Sequence, residues 1–413
     1  MPDTSTAQTS PIAIIGAGPA GLFAAECLSK KGHKVHLFDH MARPGRKFLM
    51  AGRSGLNLTH SEPLELFLQR YGAARNRLEP TIRCFPPEAL RHWAEELGEP
   101  CFIGSSGRVF LKSLKASPLL RRWLNRLQEQ GVHFFPRHRL TDMQGLSLTF
   151  QTAEGPVHTT AQAVILACGG GSWSRLGSDG HWASLLKDYC TPFVPSNCGF
   201  MPDWPEEFLL RHEGATLRGI TLNFAGQTQR GDIIITKRGL EGAPLYALSA
   251  LLRQALAEAD KKGVTIHLNL RPTLEPERIM ERLSRQRIRE SRSNRLRKAL
   301  GLDRTIRELL ARLCPEARTA GELTNAITQA PLRLVAPAEL DRAISTAGGL
   351  KLDALDDTLM LRHQPGLFAC GEMLDWDAPT GGYLLQGCFS TAYCCAESVH
   401  HWLSRSLPGK VTP

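Results

Sequence analysis

Gly16, Ala17, Gly18, Pro19, Ala20 and Gly21 form a GxGxxG turn, and Asp39 follows it after a stretch long enough for one helix and one strand. Residues of these types in this order bind the pyrophosphate of a dinucleotide. Gly16 permits the tight bend, and Gly18 lets the backbone approach the phosphates at the positive end of a helix. Gly21 allows close helix-to-strand packing, and Asp39 can accept from adenosine ribose hydroxyls. Glycines at this spacing also occur in ordinary turns, so the flanks decide the matter. The turn alone does not separate FAD from NAD. Other stretches carry compatible chemistry. Arg46 and Lys47 can reach phosphate or ribityl oxygens. Gly52, Gly55, Asn57, Leu58 and Thr59 imply close backbone approach to a ligand, and Leu140, after the basic Arg137-His138-Arg139, is counted with the same contacts. Gly169 and Gly170 break a strand. Near the C-terminus, the carboxylate of Gly371-Glu372 can bind ribityl hydroxyls. Thr380-Gly381-Gly382-Tyr383 opens a helix whose N-terminus can face the polar edge of an isoalloxazine ring, with the two glycines permitting close approach. The fourteen histidines form no recognisable acid–base constellation, and no catalytic residue is assigned.

The elements that must position these residues are legible in the pattern. Ile12 to Ile15 is a short buried strand, Leu22 to Lys31 a helix and His33 to Phe38 a second strand. Helical segments follow at Glu62 to Tyr71, Pro87 to Leu97 and Ser117 to Gln130, then a strand at Val132 to Phe135. Ser147 to Thr152 and Val157 to Thr160 form a hairpin. Ala163 to Ala167 is apolar throughout, as in a buried parallel strand, and ends in Gly169-Gly170-Gly171. A helix is expected near Gly180 to Lys187. From about Thr191 the alternation becomes β-like, at Thr216 to Phe224, Asp232 to Thr236 and Val264 to Leu270, interrupted by one helix at Pro244 to Asp260. Pro272 to Asn325 is helical and arginine-rich. Strand character returns at Leu332 to Val335 and Asp341 to Thr346, and Gly348-Gly349 opens a turn. A last strand at Gly366 to Cys370 precedes a helix running through Phe389 to His401.

A chain of 413 residues has room for two or three domains. The polar stretch Met1 to Ser10 lacks a basic flank, so no signal peptide is expected. No apolar run is long enough to span a membrane, and a cytoplasmic protein is expected. The eleven cysteines show neither metal-ligand spacing nor a disulfide framework, and no metal is expected. Cys394 and Cys395 are adjacent, but on a helix neighbouring side chains diverge. The net charge of +10 is concentrated between Arg278 and Arg318, where thirteen Lys or Arg face five Asp or Glu, a surplus of eight. Such a surplus marks nucleic-acid binding, attraction of anionic phosphates or a solvated helical face. No aromatic residue stands in the segment to stack on bases, which favours the solvated face and makes nucleic acid the alternative partner.

Taken together, these stretches resemble the HI0933-like flavoprotein family, the group that includes the BaiN and RdsA-type NAD(P)/FAD-dependent oxidoreductases. The resemblance rests on Gly16 to Gly21, Gly45-Arg46-Lys47 with Asn57-Leu58-Thr59, and Val164 to Gly170 with Gly177. It rests further on Thr346-Ala347-Gly348-Gly349, and on Gly371-Glu372 with Pro379 to Tyr383 and Leu385-Gln386. It implies an α/β fold, with a glutathione-reductase-type FAD-binding Rossmann domain carrying an inserted β-barrel-like domain and a small helical subdomain. The expected boundaries are 1–190 with 347–413, 191–271 with 326–346, and 272–325. Where the family commonly carries Arg-Cys-Asn before Leu-Thr, this chain has Gly55-Leu56-Asn57, and the nearest arginine is Arg53. No role of that cysteine carries over, which implies a distinct subgroup.

The implied activity is that of an oxidoreductase in which FAD takes hydride from NAD(P)H and passes it to an organic small molecule, an activated carbon–carbon double bond being one candidate. No second GxGxxG follows a strand, so a nicotinamide donor must bind transiently. The rival reading is a FAD-dependent RNA-modifying or RNA-binding protein that uses the arginine-rich helices.

Overall fold

The computed structural model describes residues 10–52, 55–260, 262–287 and 289–406. The expectations that rest on residues 1–9 and on Arg53 lie outside them. The chain divides into two units. One comprises residues up to Val194 and from Ser345 onward, and the other Pro195–Ile344.

At the centre of the first unit is a five-stranded parallel sheet. Its order is Leu367–Ala369, Ala163–Leu166, β1 (Ile12–Ile15), β2 (Val35–Asp39) and His133–Pro136. The register sets Ile14 against Ile165 on one side and Leu37 on the other. Apolar side chains point to both faces of β1 and Ala163–Leu166, and all eight residues are buried, as a strand covered on both sides requires. Between β1 and β2, helix α1 (Pro19–Lys30) starts with Pro at its first position, where the missing N–H costs nothing. Phe23 of α1 meets Phe389 of the C-terminal helix Tyr383–Ser406 at 4.9 Å and Trp93 at 5.6 Å between ring centroids, so the two helices share one aromatic core. Glu26 lies fully buried in this core, balanced by Lys30 at 2.7 Å, Arg126 at 3.0 Å and the Trp93 indole N–H at 3.0 Å.

Helix α2 (Arg46–Ala51) and strand β3 (Asn57–His60) follow β2. β3 pairs with Arg108–Leu111, which pairs with Cys101–Ile103, and a separate meander is formed by Arg139–Gln144, Ser147–Thr152 and Gly155–Thr160.

The second unit is a closed six-stranded barrel, in the order Phe200–Pro202, Gly239–Glu241, Gln227–Thr236, Thr216–Phe224, Val264–Asn269 and Ala330–Pro337. Alternation puts Leu222, Ile233, Ile235, Ile266, Leu268, Leu332 and Leu334 inside. Helices Pro276–Ser284, Arg292–Leu300, Arg304–Leu313 and Ala320–Thr328 share that core through Ile279, Leu296, Leu309 and Ile327. The helix from Ala320 is closed at its start by a reciprocal Thr319 and Glu322 cap.

Several expected elements differ. The helix expected from Pro244 to Asp260 is two, Ala243–Ala247 and Ser249–Glu258, broken at Leu248. The helix near Gly180 is a 3-10 helix, His181–Tyr189, with non-helical backbone at Leu186. The strand expected from Asp341 begins instead at Ser345, after a 3-10 turn at Leu340–Arg342. Gly348 and Gly349 lie inside that strand, Ser345–Leu350, and open no turn. Their φ of +85° and +118° and their passage between the carbonyls of Pro192 and Met373, which a Cβ would overlap, are what require glycine. Cys394 and Cys395 lie on the C-terminal helix, and burial pushes both thiols up. No described helix is long and apolar enough to cross a membrane, and no described His, Cys, Asp and Glu group of three or more could hold a metal ion.

Candidate functional site

Every candidate residue lies in the first unit, and most sit where the parallel strands end, which is where open α/β sheets bind ligands. Gly16 leaves β1 at φ +104°, and a Cβ there would overlap the Ala167 carbonyl. A Cβ on Gly21 would overlap the Gly16 carbonyl oxygen, so α1 lies directly against the turn. Gly18 differs from both. It is the N-cap of α1 with ordinary φ of −80°, and a Cβ there would meet nothing within 4 Å. The open space beside Gly18 adjoins the unpaired N–H groups of the first turn of α1, a site suited to an anion. Ala20 packs where a Cβ on Gly371 would stand, 2.7 Å away, so the second strand–glycine element adjoins the same turn.

Asp39 ends β2. Its Oδ2 accepts from Ala17 N–H at 2.6 Å and its Oδ1 from Met41 N–H at 2.7 Å. Burial raises its pKa above the ordinary value against the pull of those two donors. Each oxygen keeps lone pairs for a further donor such as a ribose hydroxyl. Beside it, His40 approaches Asp179 at 3.6 Å, and Arg139 pairs with Asp179 at 2.8 Å. Burial would raise Asp179, but the His181 N–H and Arg139 hold it below the ordinary carboxylate value. Leu140 follows Arg139 on the meander, opposite Phe150, and packs half-buried against the core.

A second cluster gathers distant stretches of the chain. Lys47 Nζ, in the first turn of α2, lies 2.9 and 2.8 Å from the two Glu372 oxygens, 2.8 Å from Ser172 Oγ and 3.5 Å from Ser178 Oγ. Glu372 Oε1 also accepts from Thr346 N–H at 3.1 Å. Gly171 N–H donates to Thr346 Oγ1 at 2.9 Å, and a Cβ on Gly170 would stand 2.5 Å from that oxygen. Gly169 O accepts from the Trp182 indole at 2.8 Å. Arg46 is half-buried at the start of α2.

The third cluster surrounds the start of the C-terminal helix. Gly382, at φ +94°, presses on β3, where its Cβ would stand 2.5 Å from Thr59 Cα. Thr59 Oγ1 donates to Gln386 Oε1 at 2.8 Å, and Leu58 is fully buried. Gly381, buried beside half-buried Thr380, takes φ +133°, and a Cβ on it would meet the Tyr383 ring at 2.7 Å. Tyr383 donates to Glu62 Oε1 at 2.5 Å, its ring stacks on His60 at 5.4 Å, and Arg70 pairs with Glu62 at 2.7 Å. Burial and the Glu62 carboxylate push the phenol well up. Burial alone would raise Glu62, but Arg70 and Tyr383 hold it down. Asn57 Oδ1 is buried with no hydrogen-bond partner among the described residues, a lone acceptor of the kind a bound ligand satisfies.

An open anion space at a helix N-terminus, a carboxylate with spare lone pairs and an orphaned buried amide oxygen fit a dinucleotide cofactor. The sequence reading passed over Ser172, Ser178, Asp179 and Glu62. The two serines and Asp179 stand in a polar loop that looks like ordinary surface turn, and Glu62 looks like the start of an exposed helix.

The family model described as "HI0933-like protein Rossmann domain" matches residues 10–398. Among curated proteins, the chain is 23% identical to the ribosomal RNA dihydrouridine synthase of Escherichia coli, over 94% of this chain and 97% of that one. It is 25% identical to the 3-dehydro-bile acid delta(4,6)-reductase of Clostridium scindens, over 94% and 98%. Among solved structures, 3-ketosteroid delta1-dehydrogenase from Sterolibacterium denitrificans superposes with a TM-score of 0.54 at 12% identity, over 96% of this chain and 100% of that one, which shows a shared fold.

Proposed function

The chain belongs to the HI0933-like protein family, and from that premise we propose that it is a FAD-dependent oxidoreductase that takes hydride from NAD(P)H and delivers it to an activated carbon–carbon double bond. The observation that carries the reading is the open space at Gly18, at the N-terminus of α1 and beside Asp39, where a pyrophosphate and a ribose fit. When bound, FAD supplies hydride exchange at N5 of its ring. The protein's part is to hold and orient. The first turn of α1 takes the phosphates, Asp39 accepts from the adenosine ribose, and Glu372 accepts from ribityl hydroxyls. Asn57 Oδ1 offers the cofactor an acceptor that no group among the described residues uses. The names of the two curated relatives support the choice of acceptor. A dihydrouridine and a product of delta(4,6) reduction both arise by adding hydrogen across a carbon–carbon double bond. Anaerobic mixing with NADH or NADPH, each alone, tests the donor. The visible flavin absorption should bleach within seconds to minutes with at least one of them, and persistence of full colour with both removes NAD(P)H from the reading.

A second reading, an RNA substrate or partner, is favoured by one relative's name and by the arginine-rich helices. In the structure many of these cationic side chains are held by neighbours within the same unit. Arg278 and Arg285 pair with Glu281, Arg304 with Glu308 and Lys298 with Glu290. Arg292 closes the helix Arg304–Leu313 by donating to Leu310 O at 2.9 Å and Cys314 O at 2.8 Å, and Arg295 donates to Arg318 O at 2.7 Å. Arg287, Arg289 and Arg297 are among the exposed residues that an RNA would reach. Neutralising Arg292 or Arg295 would uncap backbone carbonyls and confuse the result. With Arg287, Arg289 and Arg297 all changed to Ser, we expect RNA retention at physiological salt to be weak before and after. Tight retention by the parent, with a salt slope that falls by about 2 in the triple variant, would establish the RNA reading instead.

A further inference from the structure

The Lys47 ammonium has three protons to give. Both Glu372 oxygens at 2.9 and 2.8 Å, Ser172 Oγ at 2.8 Å and Ser178 Oγ at 3.5 Å surround it. Ser178 gives its own proton to Gly170 O at 3.0 Å, so toward Lys47 its oxygen accepts. Ser172 is fully buried and Glu372 nearly so. These partners come from four places in the chain: the start of α2, the loop after Ala163–Leu166, the strand Ser345–Leu350 through Thr346, and the turn after Leu367–Ala369. From sequence, Lys47 reaches phosphate or ribityl oxygens. In the structure its protons are already spent inside the protein.

We propose that Lys47 is a positioning residue, which serves the cofactor through Glu372 and makes no contact with it. The inference rests on the FAD reading given above. Lys47 and Thr346 N–H fix the Glu372 carboxylate at the strand ends, beside Gly371 and the start of α1, with lone pairs left to accept from polyol hydroxyls. The ion pair holds both oxygens of a nearly buried carboxylate, at 2.9 and 2.8 Å from the ammonium. Removing only the lysine leaves that carboxylate without its counter-ion and without the donor that fixes its two oxygens. The titratable groups around it are few. Lys47 faces Glu372 from α2, the neutral Ser172, Ser178 and Thr346 lie about the pair, and the buried Cys370 and Cys388 thiols stand nearby, with burial pushing Cys388 far up.

The test is FAD titration of apoprotein for the parent, Lys47→Met, Glu372→Gln and the double variant. Lys47→Met should bind FAD at least about 10-fold more weakly than the parent, because the Glu372 oxygens are no longer held to accept. Glu372→Gln, which loses one acceptor oxygen, should also bind more weakly than the parent. The double variant should match Glu372→Gln within about twofold, since Lys47 then has nothing left to position. It carries no unpaired buried charge, so it remains measurable even if Lys47→Met alone fails to fold. Losses that multiply in the double variant would mean that Lys47 touches the cofactor itself, and a folded Lys47→Met protein that binds FAD as tightly as the parent would mean that it positions nothing; either would overturn the proposal alone. A parent that binds no FAD would overturn the FAD reading and this proposal with it.

Discussion

Protein carrying Gly18→Asp should fold, melt no earlier than the flavin-free parent and purify without colour. Gly18 is the N-cap of α1 at ordinary φ, and a Cβ there meets nothing within 4 Å, so the fold has room for the side chain. Asp is among the best N-cap residues, and exchanging Gly for it should stabilise the helix by a few tenths of a kcal/mol. The same carboxylate would stand in the proposed phosphate space, a like charge beside a pyrophosphate with little water between. A loss of FAD affinity of about 100-fold or more, ~2.7 kcal/mol, is expected. Circular dichroism melts and the visible absorption of the purified protein separate the two effects. Full flavin content in a folded Gly18→Asp protein would mean that the turn does not hold the phosphates. Gly21→Ala is no substitute for this test, because its Cβ would overlap the Gly16 carbonyl and loss of flavin would only follow loss of the fold.

The second large effect is structural. Gly382→Ala should cost about 3 kcal/mol or more, seen as a much lower melting temperature or as insoluble protein. Gly382 holds φ +94°, and its Cβ would stand 2.5, 2.6 and 2.7 Å from Thr59 Cα, C and N, atoms of a paired strand that cannot move aside. The sequence suggests that the glycine pair lets a helix end approach a flavin. The structure supplies a reason inside the protein for Gly382, since the start of the C-terminal helix is set against β3. Any change in flavin potential caused by a side chain at this position would therefore be mixed with damage to β3. A Gly382→Ala protein as stable as the parent would show that the two elements do not pack in this way.

The parts legible in the sequence are those whose signals are local. β1, the glycine turn, α1 and β2 follow one another within a short span, and their marks are local: an apolar run, glycines at fixed offsets, a helical run from Leu22 and an acid at a strand end. What escaped depends on distance. Lys47 and Glu372 are 325 positions apart, and nothing near either one says that the lysine is spent on the glutamate. The barrel closes because Phe200–Pro202, a strand not named from the sequence, pairs with Ala330–Pro337; the family resemblance, and not the strand pattern, implies a barrel. Gly348-Gly349 reads as a turn because glycine pairs usually mark one, yet here the pair threads a strand between two backbones. Arg292 counts toward a basic patch by composition, while in the fold it caps a helix.

The central claim, that the β1–α1 turn and Asp39 hold FAD, is tested most directly by the cofactor itself. Protein purified without added flavin should be yellow. Heat denaturation followed by chromatography of the supernatant should release FAD close to one per chain. Release of FMN, or a colourless protein that takes up no FAD when it is supplied, would contradict the account.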